Sequence, residues 1–313
     1  MISDAADIVI SVDGLSRSFG VMKAVQKVGF QVARGEIFGL VGPDGAGKTT
    51  IMRMLAGILA PDCGAIRIGG TDVVGDPEAA KARISYMPQR FGLYEDLTVA
   101  ENIGFYADLF GVPRRDRRAR GRELMAAAGL DAFEQRLAGK LSGGMKQKLG
   151  LVCALIHTPQ VLLLDEPTTG VDPVSRRDFW GILYDLRESG VTIVLSTAYM
   201  DEAERCSRLA LVHTGSISHC DTPDRLKRLM PGALLAIISD NPREVRARLT
   251  GASGVLGMLL MGDRVHVHVD DATRRIAEIR DLLAEKGMSA ELGVVEPGIE
   301  DVFVALLNAG ERS

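Results

Sequence analysis

An unbroken apolar run, Ile37-Phe38-Gly39-Leu40-Val41, opens directly into Gly42-Pro43-Asp44-Gly45-Ala46-Gly47-Lys48-Thr49-Thr50. Apolar residues then recur at helical spacing at Ile51, Met52, Met54, Leu55 and Ile58. Strand, glycine-rich loop and helix in that order leave few architectures open to the chain. A run without alternation reads as a strand buried on both faces, which requires a parallel sheet covered by helices. Gly42, Gly45 and Gly47 allow the tight turn that aims backbone N–H groups at phosphate oxygens. The helix that follows adds the positive end of its dipole. In such a loop Lys48 is expected to bridge β- and γ-phosphates and Thr49 to ligate Mg2+ through its hydroxyl. Asp44 reads best as a turn residue at the loop's edge.

The rest of the chain supports the same architecture. Val161 to Leu164 and Val191 to Leu195 are two more short apolar strands, with helical periodicity from Val174 to Ser189 between them. Strand, helix, strand argues for an α/β fold with a parallel sheet. Ile8 to Phe19 and Val28 to Val32 alternate and read as antiparallel strands. Residues 97–158 carry helical patterns and no convincing strand, a helical subdomain inserted into the sheet's sequence. Leu209 to His213 and Ser216 to His219, joined by Thr214-Gly215, read as a hairpin. Met230-Pro231-Gly232 reads as a linker, which sets domains at 1–229 and 232–313. Beyond it the order β-α-β-β-α-β suggests a small α+β domain of ferredoxin-like arrangement, with a mixed, strand-poor appendage as the competing expectation.

Asp165 and Glu166 end the apolar strand Val161-Leu162-Leu163-Leu164, so their carboxylates emerge at the sheet edge that carries the phosphate loop. Ser142-Gly143-Gly144 opens a helix with a hydroxyl and bare N–H groups, a ready anion site. The glycine-rich loop, Leu141-Ser142-Gly143-Gly144-Met145-Lys146-Gln147 and Asp165-Glu166, in that order and spacing, resemble the nucleotide-binding subunit of ATP-binding cassette (ABC) transporters across roughly residues 7–225. The tail Pro297-Gly298-Ile299-Glu300-Asp301-Val302-Phe303 resembles exporter-type members. Ser-Thr-Ala-Tyr-Met-Asp-Glu-Ala-Glu, from Ser196, resembles the first cassette of tandem exporter ATPases.

The resemblance implies a P-loop cassette fold with an antiparallel subdomain, ATP and Mg2+ as ligands, and ATP hydrolysis coupled to export. It implies that Asp165 holds Mg2+, that Glu166 orients the attacking water, and that Gln89 touches metal or water. Phe19 takes the place of the aromatic that stacks on adenine. Ser142, Gly143 and Gly144 would bind the triphosphate held by a second cassette, and Asp172 would face that partner. Two modules must then meet head to tail, on transmembrane permease subunits, at the inner face of the membrane.

One position departs from the pattern. Relatives carry Ser-Thr-His where this chain has Ser196-Thr197-Ala198. Losing a transition-state contact of this kind costs on the order of 3 kcal/mol, roughly a hundredfold in rate. The favoured expectation is a degenerate site that holds ATP durably while Ser142-Gly143-Gly144 completes a competent site on an unlike partner cassette; a site that tolerates the alanine is the other. A soluble regulatory, translation or DNA-maintenance ATPase is the alternative from another class.

Composition narrows the rest. The 313 residues are 46% hydrophobic with net charge −4, so nucleic acid is not an expected partner. The longest apolar runs fall short of a membrane span of about 18–20 residues, and the acidic N-terminus lacks the look of a secretion signal. Four scattered cysteines read as plain thiols. Arginines 114, 115, 117, 118, 120 and 122 form either an anion-binding patch or, the favoured expectation, a solvated helix face. Phe91 to Phe105, including Tyr94, could equally contact a membrane partner or pack the helical subdomain.

Overall fold

The computed structural model describes residues 8–285 and 288–310, for 307–310 the backbone only. The chain divides into two compact units: one runs up to Tyr199 and includes Cys206–Cys220, the other comprises Met200–Arg205 and the chain from Asp221 onward. This grouping places the short helices Met200–Ala203 and Pro223–Lys227 with the second unit, whereas the linker suggests a division at 229–232.

In the first unit, β1 (Ile8–Phe19) and β2 (Met22–Ala33) pair antiparallel. β3 (Ile37–Val41) and α1 (Lys48–Leu55) follow, and then β4 (Cys63–Ile68) and β5 (Thr71–Asp72) join the first pair in the order β2-β1-β4-β5. β2 begins six residues before the expected Val28, because register shifts along β1 and β2 break the alternation that marks a strand in sequence. After α2 (Pro77–Lys81) and β6 (Ile84–Met87), three helices form the inserted segment: α3 (Val99–Leu109), α4 (Arg114–Ala128) and α5 (Gly143–Leu155). The chain returns through β7 (Val161–Asp165), α6 (Pro173–Glu188), β8 (Thr192–Thr197), β9 (Arg208–His213) and β10 (Ser216–Asp221).

The second sheet has the order β10-β9-β3-β8-β7-β6. β3 is parallel to both β8 and β9, and β7 is parallel to β8 and β6. Every residue of β3, β7 and β8 is buried, the signature of strands covered on both faces. Register then decides the site: Val41 lies beside Thr197, and Asp165 beside Ser196. The phosphate loop, the acidic pair and the end of β8 therefore emerge together. The hairpin turn carries Thr214 at φ 45° and Gly215 at φ 78°, the two left-handed residues that a tight antiparallel turn demands.

The helical segment has its own core around Val99, Ile103, Met125, Leu149 and Ile156. α3 starts at a reciprocal cap: the Thr98 N–H donates to Glu101 Oε2 at 2.8 Å and the Glu101 N–H to Thr98 Oγ1 at 3.2 Å.

The second unit carries α7 (Met200–Ala203) and α8 (Pro223–Lys227), then β11 (Ala233–Ile238), α9 (Pro242–Leu249), β12 (Val255–Met261), β13 (Arg264–Val269), α10 (Ala272–Ala284), β14 (Glu291–Val295) and α11 (Ile299–Gly310). Its antiparallel sheet has the order β12-β13-β11-β14. Leu235, Ile237, Val245, Val265, Val267 and Ile279 fill its core. Arg275, buried to 4% exposure, is neutralised by Asp270 through bonds of 2.7 and 2.8 Å.

Candidate functional site

Loop geometry is set first. Gly45 and Gly47 sit at φ 77° and 103°, a region closed to most side chains. A Cβ on Gly42 would lie 2.1 Å from the Val212 carbonyl oxygen, and one on Gly47 would lie 2.4 Å from that of Ala24. The Lys48 ammonium, 3% exposed, donates to the carbonyls of Gly42 at 2.9 Å and Pro43 at 3.0 Å. It also pairs with Glu166 Oε1 at 3.2 Å. Ala46 is buried, and Asp44 is exposed at the loop's outer edge.

The two acids have different partners. Asp165, 1% exposed, accepts from the Thr49 hydroxyl (3.1 Å), the Ser196 hydroxyl (2.6 Å) and the Tyr86 phenol (3.2 Å). Burial first, and the Asp165 charge second, raise the Tyr86 phenol well above its ordinary range, so it stays a donor. Glu166 is a non-glycine residue at φ 48°, a conformation costing about 1–3 kcal/mol. Its N–H is held by the Ser196 carbonyl at 3.1 Å and hydroxyl at 3.0 Å, and its Oε2 accepts from Gln89 at 3.0 Å.

Lys48, Thr49 and Glu166 line an open cleft of about 490 Å³ together with Gly45, Gly47, Thr50, Phe19, Met22 and Gln26, while Asp165 and Gln89 reach it through their bonds to Thr49 and Glu166. Phe19 is 44% exposed, with the Arg17 guanidinium 5.2 Å from its ring centroid. The structure thus brings Phe19, the glycine-rich loop, Asp165, Glu166 and Gln89 to one place.

Ser142, Gly143, Gly144 and Asp172 do not line this cleft. Ser142 caps α5, accepting from the Met145 N–H at 3.3 Å, and Gly143 has open space where a Cβ would stand. Gly144 is required by packing, since its Cβ would come within 2.4 Å of the Ser175 Cβ. Asp172 caps α6, accepting from the N–H groups of Val174 (3.1 Å) and Ser175 (2.9 Å). Hydrogen bonds from Ser175 are the chief reason its carboxyl is held below the usual range.

Ala198 follows the last residue of β8 and contributes nothing to the cleft lining. Tyr199 lies under the Arg176 guanidinium, 4.1 Å from its ring centroid, and does not line the cleft either. Sequence reasoning missed Ser196 and Tyr86. Their only sequence signal is a polar residue at the end of an apolar strand (Ser196) and one within a strand of four (Tyr86).

A parallel sheet with a lysine loop and two acids at one edge is shared by many nucleotide-binding proteins, so comparison with known proteins decides the family. A model described as ABC transporter matches residues 25–169. The chain is 34% identical over 303 residues to the daunorubicin resistance ATP-binding protein DrrA2 of Streptomyces coeruleorubidus, covering 95% of this chain and 94% of that one. The chain belongs to the ABC transporter family. Its cassette is also 42% identical, over 98% of the chain, to a protein of Escherichia coli K12 named "Probable multidrug ABC transporter ATP-binding protein YbhF". It spans only 53% of that protein, about half its length. Among solved structures, an ATP-binding subunit of an ABC transporter superposes with TM-score 0.64 at 31% identity, covering 71% of this chain and 92% of that one.

Proposed function

We propose that this cassette is the ATP-hydrolysing subunit of a membrane exporter. It would act at the inner face of the membrane with permease subunits and a second cassette. No described helix is long and apolar enough to cross a membrane. The observation that carries the reading is the convergence of Lys48, Thr49, Asp165, Glu166 and Gln89 on one sheet edge. The transport names of the relatives support it, and nothing favours the translation or DNA-maintenance alternative.

In this reading Phe19 flanks the adenine and the loop from Gly42 to Thr50 holds the phosphates. Lys48 would exchange its two carbonyl contacts and Glu166 for phosphate oxygens, which frees the Glu166 carboxylate to orient water. The oxygen donors Thr49 and Asp165 suit Mg2+, which takes one or two carboxylates and leaves its other positions to phosphates and water. When bound, Mg2+ would neutralise charge developing on the phosphates. Gln89, bonded to Glu166, would link that carboxylate to the segment leading into α3.

Ser142 and Gly143 lie away from this chain's own cleft, which supports their use by a second cassette. Ala198 favours an unlike partner, the site here turning over slowly while the Ser142 turn completes the other. A groove of about 400 Å³ lies between α3 and α4. Ile103, Ala107 and Met125 form its floor, and Arg114, Arg118 and Arg122, four residues apart, line one wall. The second unit's β-α-β-β-α-β order and sheet order support the ferredoxin-like reading.

The deciding experiment compares ATP turnover by the isolated chain and by the assembled membrane complex. Glu166→Gln should retain MgATP and lower turnover in this chain's own nucleotide site at least about 100-fold. Unchanged turnover in that site, read with the partner cassette's own site inactivated, excludes the proposed role of Glu166.

A further inference from the structure

Ser196 joins the two acids through a single oxygen. Its hydroxyl donates to Asp165 Oδ1 at 2.6 Å and accepts from the Glu166 N–H at 3.0 Å. The side chain is completely buried, and the pairing is fixed by strand register, because Ser196 lies directly across from Asp165. Glu166 needs such a clamp: its backbone stands at φ 48°, where a non-glycine residue persists only if its surroundings over-determine it. We infer that Ser196 is a positioning residue for nucleotide chemistry. It holds the Asp165 carboxylate toward the metal side of the cleft and the Glu166 backbone in its left-handed turn.

This assigns β8 a role that position 198 does not supply. Alanine there offers no donor, so the strand acts on the site two residues earlier, behind the acids. Tyr86 holds the opposite oxygen of Asp165 at 3.2 Å and Thr49 donates to the same oxygen as Ser196 at 3.1 Å; of these three donors the serine is the one that also accepts from the Glu166 N–H. The inference rests on the proposed roles of the acids, but its first readout does not need nucleotide.

The test uses the full chain with Ser196→Ala and Ser196→Thr. Hydrogen exchange at the Glu166 amide, without nucleotide, should accelerate about tenfold in Ser196→Ala and return toward wild type in Ser196→Thr, which restores the hydroxyl. Binding of a fluorescent ATP analogue should require roughly 10- to 100-fold more Mg2+ in Ser196→Ala, the range for losing a hydrogen bond to a charged group. Binding in EDTA should stay within about twofold. The inference is overturned if Ser196→Ala matches wild type in exchange and Mg2+ dependence. It is equally overturned if metal-free binding and the thermal midpoint fall together with no selective Mg2+ effect, the mark of a merely structural serine. Absence of ATP binding by the wild type would instead sink the proposed function, with amide exchange still deciding the role of Ser196.

Discussion

Gly47 shows how little freedom the phosphate loop has. At φ 103°, with the Ala24 carbonyl oxygen 2.4 Å from where a Cβ would sit, Gly47→Ala meets both backbone strain and a fixed obstacle. It should destabilise the fold by at least about 1–3 kcal/mol and abolish ATP binding, read by thermal melts and calorimetry. His157 makes a second prediction. Its Nε2 faces the Ile84 carbonyl at 3.3 Å, its ring stacks on Phe110 at 4.0 Å, and its buried Nδ1 has no hydrogen-bond partner. Burial, chiefly, lowers its pKa, so the folded state binds a proton less readily than the unfolded chain. The associated stability is complete above the ordinary histidine pKa of about 6.5 and is lost as pH falls through the depressed folded value. The melting temperature should therefore drop between about pH 7 and pH 5, and less so in His157→Gln. Legibility differs sharply among residues. Lys48, Thr49, Asp165 and Glu166 were readable because fixed spacing ties them to a loop and a strand end. Ser196 was not, since its value depends on which residue lies across from it in a parallel pair 31 positions away.

At the level of elements, the segment after Gln89 is stapled by one side chain. Asn102 is fully buried on α3. Its amide donates to the carbonyls of Tyr94 (3.0 Å), Leu97 (3.2 Å) and Thr98 (2.9 Å), and its oxygen accepts from the Tyr94 N–H (2.9 Å). Asn102→Ala should cost about 1–3 kcal/mol or more in chemical denaturation, through backbone groups left unpaired. Asp172→Ala should cost about 1 kcal/mol by removing the α6 cap, whereas Asp172→Asn keeps the cap. A loss of ATP turnover common to both would point to a role beyond capping. Apolar runs announced β3, β7 and β8. β4 escaped notice because its first three residues are exposed and only Ile66 and Ile68 turn inward. In sequence the arginine-rich face reads best as a solvated helix surface. α4 does expose Arg114, Arg115 and Arg118, but the groove beside α3 appears only when two helices pack.

For the whole molecule, the pairing of cassettes is the open physical question. With Glu166→Gln and MgATP, light scattering should show the chain alone staying monomeric if its partner is unlike, and a dimer if like pairs with like. The carbonyl of Ala24 bears on both outcomes. Positions for a Cβ on Gly47 (2.4 Å) and Gly215 (2.7 Å) both crowd this one oxygen, so phosphate loop, hairpin and β2 meet with no space for an added carbon. β2 of the antiparallel sheet is thereby fitted closely against the phosphate loop and the hairpin turn of the parallel one. If the proposed nucleotide site is right, a side chain added at Gly215, outside the phosphate loop, would disturb that loop through this one carbonyl.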